Sequence, residues 1–183
     1  MDWKVDKIKR LVHTPPFSIE EVQLCEIDGG KPLHYPYYRI VAPSWVNVLA
    51  LTPEKHAILV RQPRVGIMQM TLEVPGGNMD EGEDPQTAAL RELEEETGYR
   101  AGQIKSLGQI SPNPAIMSNR LHMFLATDCR IPQQRAHFPD TSERIEVVTM
   151  PLSELEQHLQ SGHFHNALGA LTVLMALRFA LST

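Results

Sequence analysis

Eight carboxylates fall within seventeen residues, at Asp80, Glu81, Glu83, Asp84, Glu92, Glu94, Glu95 and Glu96, against a single base, Arg91. That stretch carries a formal charge of -7, more than the -5 of the whole 183-residue chain. If it is helical up to Thr97, Glu92 and Glu96 stand at i and i+4 with Glu95 between them, on neighbouring positions of one face. Like charges so spaced repel by about 0.2–0.5 kcal/mol a pair, and a divalent cation reverses that sign. All-oxygen donors favour Mg²⁺ or Mn²⁺, which keep waters and bridge onto phosphates. Directly ahead lies Pro75-Gly76-Gly77, where missing side chains let a ligand approach the backbone. A solvated acidic helix face is the plainer alternative. Loop and carboxylate helix together favour a metal–phosphate site.

The elements that must position these groups are marked in the sequence. Asp84 is a good N-cap, Pro85 suits the first helical position, and an Ala/Leu/Glu-rich segment runs to Thr97 before Gly98 stops it. Ahead of it, FSIEEVQLCEI and HYPYYRIV flank a turn at Asp28-Gly29-Gly30, and WVNVLAL and HAILVRQ flank Thr52-Pro53-Glu54-Lys55. MQMTLEV reads as a further strand, with a loop expected from Pro75 onward. Beyond Gly98, IKSLGQI, RLHMFLAT and RIEVVTM read as strands. Ser153 with Glu156 has the form of a capping box for a helix ending at Gly162, and an apolar helix is expected over about residues 165 to 181. Strands, a central helix, more strands and two helices predict an α+β fold, a mixed sheet covered by helices.

Composition narrows the class. With 42% apolar and 21% charged residues the chain is ordinarily globular, and its length predicts one domain. The acidic balance argues against a nucleic-acid surface working by bulk charge. Cys25 and Cys129, far apart in sequence, read as reduced thiols. The first sixteen residues lack the apolar stretch of a secretory signal, and the run from Ala167 to Leu181 is too short to span a bilayer. A cytoplasmic protein with no membrane partner is expected.

Gly77, Glu83 and Arg91-Glu92-Leu93-Glu94-Glu95-Glu96-Thr97-Gly98-Tyr99 stand at the spacing of the Nudix box, with Tyr99 where an aliphatic residue is more usual. The chain thus resembles the Nudix hydrolases. Leu59-Val60-Arg61-Gln62-Pro63-Arg64, Leu72-Glu73-Val74-Pro75-Gly76-Gly77, Pro114 and the stretch from Glu143 to Val148 are similar to the ADP-ribose pyrophosphatase branch. The resemblance implies one Nudix domain over residues 1–183, an α/β/α sandwich. Residues 1–45 would form an N-terminal strand region joining a homodimer, and 46–183 the core with the box at 77–99. It also implies Mg²⁺- or Mn²⁺-dependent hydrolysis of a nucleoside diphosphate sugar, ADP-ribose foremost and GDP-mannose next. A binding regulator without turnover is the reading of a different class; such proteins usually lose box glutamates, and here all are present.

Carried over by position, Glu92 and Glu96 are metal ligands, Glu95 a further ligand or the general base, and the Gly76 carbonyl another ligand. Arg91 braces the glutamates and Glu83 belongs to the loop–helix turn. Glu143 is the strongest base outside the box, with Glu146 behind it, because Asn119 fills the position where the branch commonly has an acid. Arg64 is a candidate diphosphate contact, its guanidinium fork suiting phosphate oxygens, with a surface arginine as the alternative. Arg61 is a weaker candidate, Glu73 a ribose or metal-shell contact, and Pro114 part of the substrate loop.

Overall fold

The computed structural model describes residues 2–138, 144–161 and 164–180. Two compact units are present, Met1–Ser44 with Ile110–Arg120, and Trp45–Gln109 with Leu121–Thr183.

In the second unit, period-two alternation lets single strands serve two layers. Along β4 (Trp45–Leu51), Val46, Val48 and Ala50 face one way and Leu49 and Leu51 the other. The first set packs with Ile58, Phe124 and Ala126 against Ala88, Ala89 and Leu93 of helix α1 (Pro85–Thr97). The second packs with Leu59 against Leu155 of α2 (Leu152–Gln160) and Val173 and Ala176 of α3 (Ala167–Ala180). The result is the expected α/β/α sandwich. Leu93 is fully buried, so truncating it to Ala costs about 3 kcal/mol.

Its sheet runs β10 (Glu146–Pro151), β5 (His56–Arg64), β4, β9 (Leu121–Thr127) and β8 (Gln103–Ile110). Strand β6 (Gln69–Glu73) pairs with β5, and β7 (Gly76–Asn78) with β4. β4 and β9 run parallel, Trp45 opposite Leu121, whereas β5 lies antiparallel to β4, β6 and β10.

The first unit holds an antiparallel sheet of β1 (Trp3–His13), β2 (Ser18–Glu26) and β3 (Tyr37–Val41). Gly29 and Gly30, φ 103° and 63°, turn the chain after β2. The loop 111–120 hangs on β3 through Ile40 N–H to the Ile116 carbonyl and Ser118 N–H to the Ile40 carbonyl.

Two local expectations are corrected. Gly76–Asn78 is a strand, not loop, because its backbone pairs with Trp45–Asn47. The Ser153–Glu156 capping box does not form: Pro151 stands at the N-cap with no side-chain bond, its ring-fixed φ of -54° starting the helix two residues early.

Candidate active site

Helix α1 is set in place at both ends by its caps. The Asp84 carboxylate accepts from Thr87 N–H, and Gly98, at φ 77°, donates its N–H back to the Glu94 carbonyl. Between them, Arg91 gathers the acids. Its Nε and Nη2 fork onto the two Glu83 oxygens at 2.9 Å each. Nη1 donates to Glu92 Oε1 and Glu95 Oε2, also at 2.9 Å, and Nη2 reaches the Asn78 carbonyl at 3.1 Å. One guanidinium thereby ties the helix, the turn before it and strand β7 together. Its hydrogen bonds to Glu83, with Glu92 and Glu95 adding to them, raise an already high pKa further, so it stays charged. Glu83 in turn is held below the usual glutamate range, first by Arg91 and against a smaller cost of burial.

Strand β7 forms a wall without side chains. A Cβ on Gly76 would lie 2.1 Å from the Val46 carbonyl oxygen, and one on Gly77 would lie 2.6 Å from the Glu92 carboxylate. The Gly76 N–H donates to Glu96 Oε2 at 2.9 Å. Carboxylates and backbone thus face one cleft of about 580 Å³ whose lining includes Gly76, Gly77, Asp80, Glu92, Glu95 and Glu96. These donors are all oxygen and suit a hard divalent cation. Among the described residues no three acids, histidines or cysteines are already gathered as a metal cage. Arg91 engages Glu92 and Glu95, and Glu96 is turned onto Gly76. The donor chemistry fits the implied Mg²⁺ or Mn²⁺, and a bound cation would draw those oxygens in.

A second charged group lies along the same cleft. Glu73, only 3% exposed, receives Arg64 Nε and Nη2 on its two oxygens at 2.8 Å each. Thr71 Oγ1 donates to Oε1 and Asn166 Nδ2 to Oε2, the latter at 2.7 Å. Burial pushes the Glu73 carboxyl up, but the bonds from Arg64, Thr71 and Asn166 outweigh it and leave it below the usual range. Arg64, half-exposed, lines the cleft with Gln62 and Asn166. Asn166 escaped the sequence reading, although an Asn directly ahead of an apolar helix is an N-cap signal. It caps α3, its Oδ1 accepting from Gly169 N–H at 2.9 Å, and so reaches Glu73 from 93 residues away.

The structure therefore brings Gly76, Glu83, Arg91, Glu92, Glu95, Glu96, Arg64 and Glu73 together. Arg61, of opposite parity to Gln62 and Arg64 on β5, instead pairs with Glu146 on β10 at 3.2 Å. Pro114 is exposed in the loop of the first unit, where Asn119 is buried and donates to the Pro43 carbonyl. Glu143 lies outside the described residues.

The Nudix domain model matches residues 43–168. An ADP-ribose pyrophosphatase of Bacillus subtilis is 32% identical over 131 residues, 72% of this chain and 70% of that one. An ADP compounds hydrolase of Escherichia coli is 29% identical over 151 residues, 82% of this chain and 78% of that one. A crystal structure of an ADP compounds hydrolase superposes with a TM-score of 0.82, covering 100% of this chain and 96% of the other at 23% identity. With the box glutamates gathered on Arg91 beside a glycine wall, and a family match over most of its length, this chain belongs to the Nudix hydrolase family.

Proposed function

We propose that the chain hydrolyses the diphosphate bond of a nucleoside diphosphate sugar, with ADP-ribose giving AMP and ribose 5-phosphate as the leading reaction. The observation that carries this is the juxtaposition in one cleft of a carboxylate cluster with the Arg64–Glu73–Asn166 group, one suited to cations and the other to an anionic ligand. The names of the relatives favour the ADP-linked substrates. Bound Mg²⁺ or Mn²⁺, held by Glu92, Glu96 and the Gly76 carbonyl, would neutralise phosphate oxygens and activate water, leaving Glu95 for the proton.

The protein's own part follows from its contacts. Arg91 fixes the glutamates relative to one another and to β7. Glu95, at the cleft edge, takes the proton of the attacking water, with Glu143 as the competing base. Glu73 acts through Arg64, holding its fork so that the exposed part of the guanidinium meets the diphosphate. The glycine wall lets phosphate approach the backbone closely. The test is product analysis over a panel of nucleoside diphosphate sugars with Mg²⁺ or Mn²⁺. AMP from ADP-ribose, lost on chelation, supports the reading; turnover of GDP-mannose instead moves the substrate. Silence across the panel from folded, metal-binding protein overturns it in favour of a binding protein.

The same reading makes the protein a cytoplasmic homodimer joined through its N-terminal strands. Support comes from β1, every residue of which is exposed, Trp3, Val5, Ile8, Leu11 and Val12 among them. Light scattering should give twice the chain mass, and Ile8→Lys with Val12→Lys should halve it. A monomeric wild type sinks the idea.

A further inference from the structure

One box glutamate stands apart from the cleft chemistry. At 100° per residue, Glu94 projects from the side of α1 opposite Glu92, Glu95 and Glu96, yet it is as buried as Glu73, 3% exposed. Its Oε1 accepts from Arg100 Nη2 at 2.9 Å and from Ala136 N–H at 2.6 Å. Arg100 also reaches the Gln134 carbonyl, and its backbone pairs both ways with Arg130. From the other direction, Arg135 Nη2 donates to the Glu94 carbonyl at 2.6 Å and the Glu95 carbonyl at 3.3 Å. A cation at a helix C-terminus is favourably placed, and here it reaches the Glu95 carbonyl and adds a second bond to the Glu94 carbonyl that already takes the Gly98 N–H. Gly98 makes the room: a Cβ there would lie 3.1 Å from the Arg135 guanidinium carbon. Burial opposes the Glu94 charge, but the Ala136 and Arg100 bonds outweigh it and hold the carboxyl below its usual range.

The clamped segment ends beside the cleft. His137 follows Ala136 directly, and its Nδ1 lies 3.9 Å from Glu95 Oε1, while the other Glu95 oxygen is on Arg91. At that distance one water, or a small turn of either side chain, completes a hydrogen bond.

We propose that Glu94, Arg100 and Arg135 clamp residues 134–138 across the end of α1 so that His137 orients the Glu95 carboxylate. Glu94 and His137 are thus positioning residues for the reaction. The proposal rests on the catalytic reading of Glu95 given above. It adds a path from the rear of the helix to its working face: Glu94 to Ala136, Ala136 to His137, His137 to Glu95. Losing such a supporting partner lowers turnover by about ten- to a hundred-fold.

Hydrogen exchange and carbon-13 NMR of the full-length, metal-free protein are read beside steady-state hydrolysis of ADP-ribose. In wild type the Ala136 amide should exchange slowly. Glu94→Ala should free it, shift the Glu95 carboxyl resonance and lower kcat about tenfold with KM nearly unchanged. His137→Ala should shift the same resonance and lower kcat equally, while Ala136 stays protected. His137→Gln, which keeps an N–H donor, should recover part of the loss, and the Glu94→Ala/His137→Ala double variant should be no worse than either single one. Ala136→Pro, at an exposed position, removes the strap's N–H while leaving helix α1 unaltered in sequence, and should reproduce Glu94→Ala if that variant folds poorly. An unmoved Glu95 resonance in His137→Ala, or wild-type kcat once Ala136 has lost protection, overturns the proposal. A rise in KM alone does too. If Glu95→Gln itself stays active, the catalytic reading fails, while the exchange data still judge the clamp.

Discussion

Arg91 and Arg64 sit along one cleft in opposite electrostatic situations. Around Arg91, one cation serves three carboxylates, Glu83, Glu92 and Glu95, with Glu96 close by on Gly76. Around Glu73, one carboxylate is served by one cation and two neutral donors, Thr71 and Asn166. The first group crowds carboxylate oxygens onto a single guanidinium. The second is balanced, its carboxylate buried and its arginine half-exposed. Crowded carboxylate oxygens suit a hard cation, and a fully bonded carboxylate is a support that holds its partner still. The two kinds of group fail differently when cut.

The largest expected effect is at the acid-rich group. Glu96→Gln should leave the fold intact and lower metal-dependent turnover by about a thousandfold, the scale of losing one preorganised charge-stabilising group. Steady-state hydrolysis alongside circular dichroism decides it, and near wild-type activity refutes the metal assignment. Arg91→Lys comes next. A point charge cannot reproduce the fork onto Glu83 and the reach to Asn78, so turnover should fall about tenfold to a hundredfold, with thermal stability lowered as well.

At the balanced group the effects move to stability. Arg64→Ala strands Glu73, buried and without its ion partner, and should cost about 2 kcal/mol by urea denaturation while raising KM. Because Glu73 stays below its ordinary value near 4.5 despite burial, its bonds contribute stability that is complete above that pH. The contribution is lost as pH falls through the depressed folded value. The urea midpoints of wild type and Glu73→Gln should therefore converge as pH is lowered from neutral to below 4.5, and a constant gap would refute this account. The smallest effect belongs to Arg61→Ala. Its exposed pair with Glu146 should contribute less than about 0.5 kcal/mol, and turnover should not change.

Much of the first group was legible because its signals are local. Asp84, Pro85 and Gly98 bound the helix, and the glutamate spacing puts three acids on one face before any tertiary contact is known. The second group was only half legible. Arg64 and Glu73 stand out as charges in strands, but the tie to Asn166 spans 93 residues and leaves no periodic trace. Strand β7 was missed because Gly-Gly-Asn has no side-chain pattern; backbone pairing alone makes it a strand. Along β1 the alternation that starts at Trp3 and Val5 is broken by register shifts between Val5 and Lys7 and between Arg10 and Val12, so periodicity alone did not mark it. The Ser153 capping box lost to Pro151, whose ring geometry sets the helix start more strongly than a hydroxyl two residues later.

The glycine wall of β7 has a consequence for how such a cleft can change over generations. A surface built of main chain offers mutation almost nothing to vary, since a side chain at Gly76 would run into the Val46 carbonyl. Drift in ligand preference is thereby channelled to the side-chain-bearing remainder of the lining, Gln62, Arg64, Asn166 and Leu168 among it. An inhibitor chemist meets the same division: grip comes from the main chain of the glycines, and selectivity from the side chains around it.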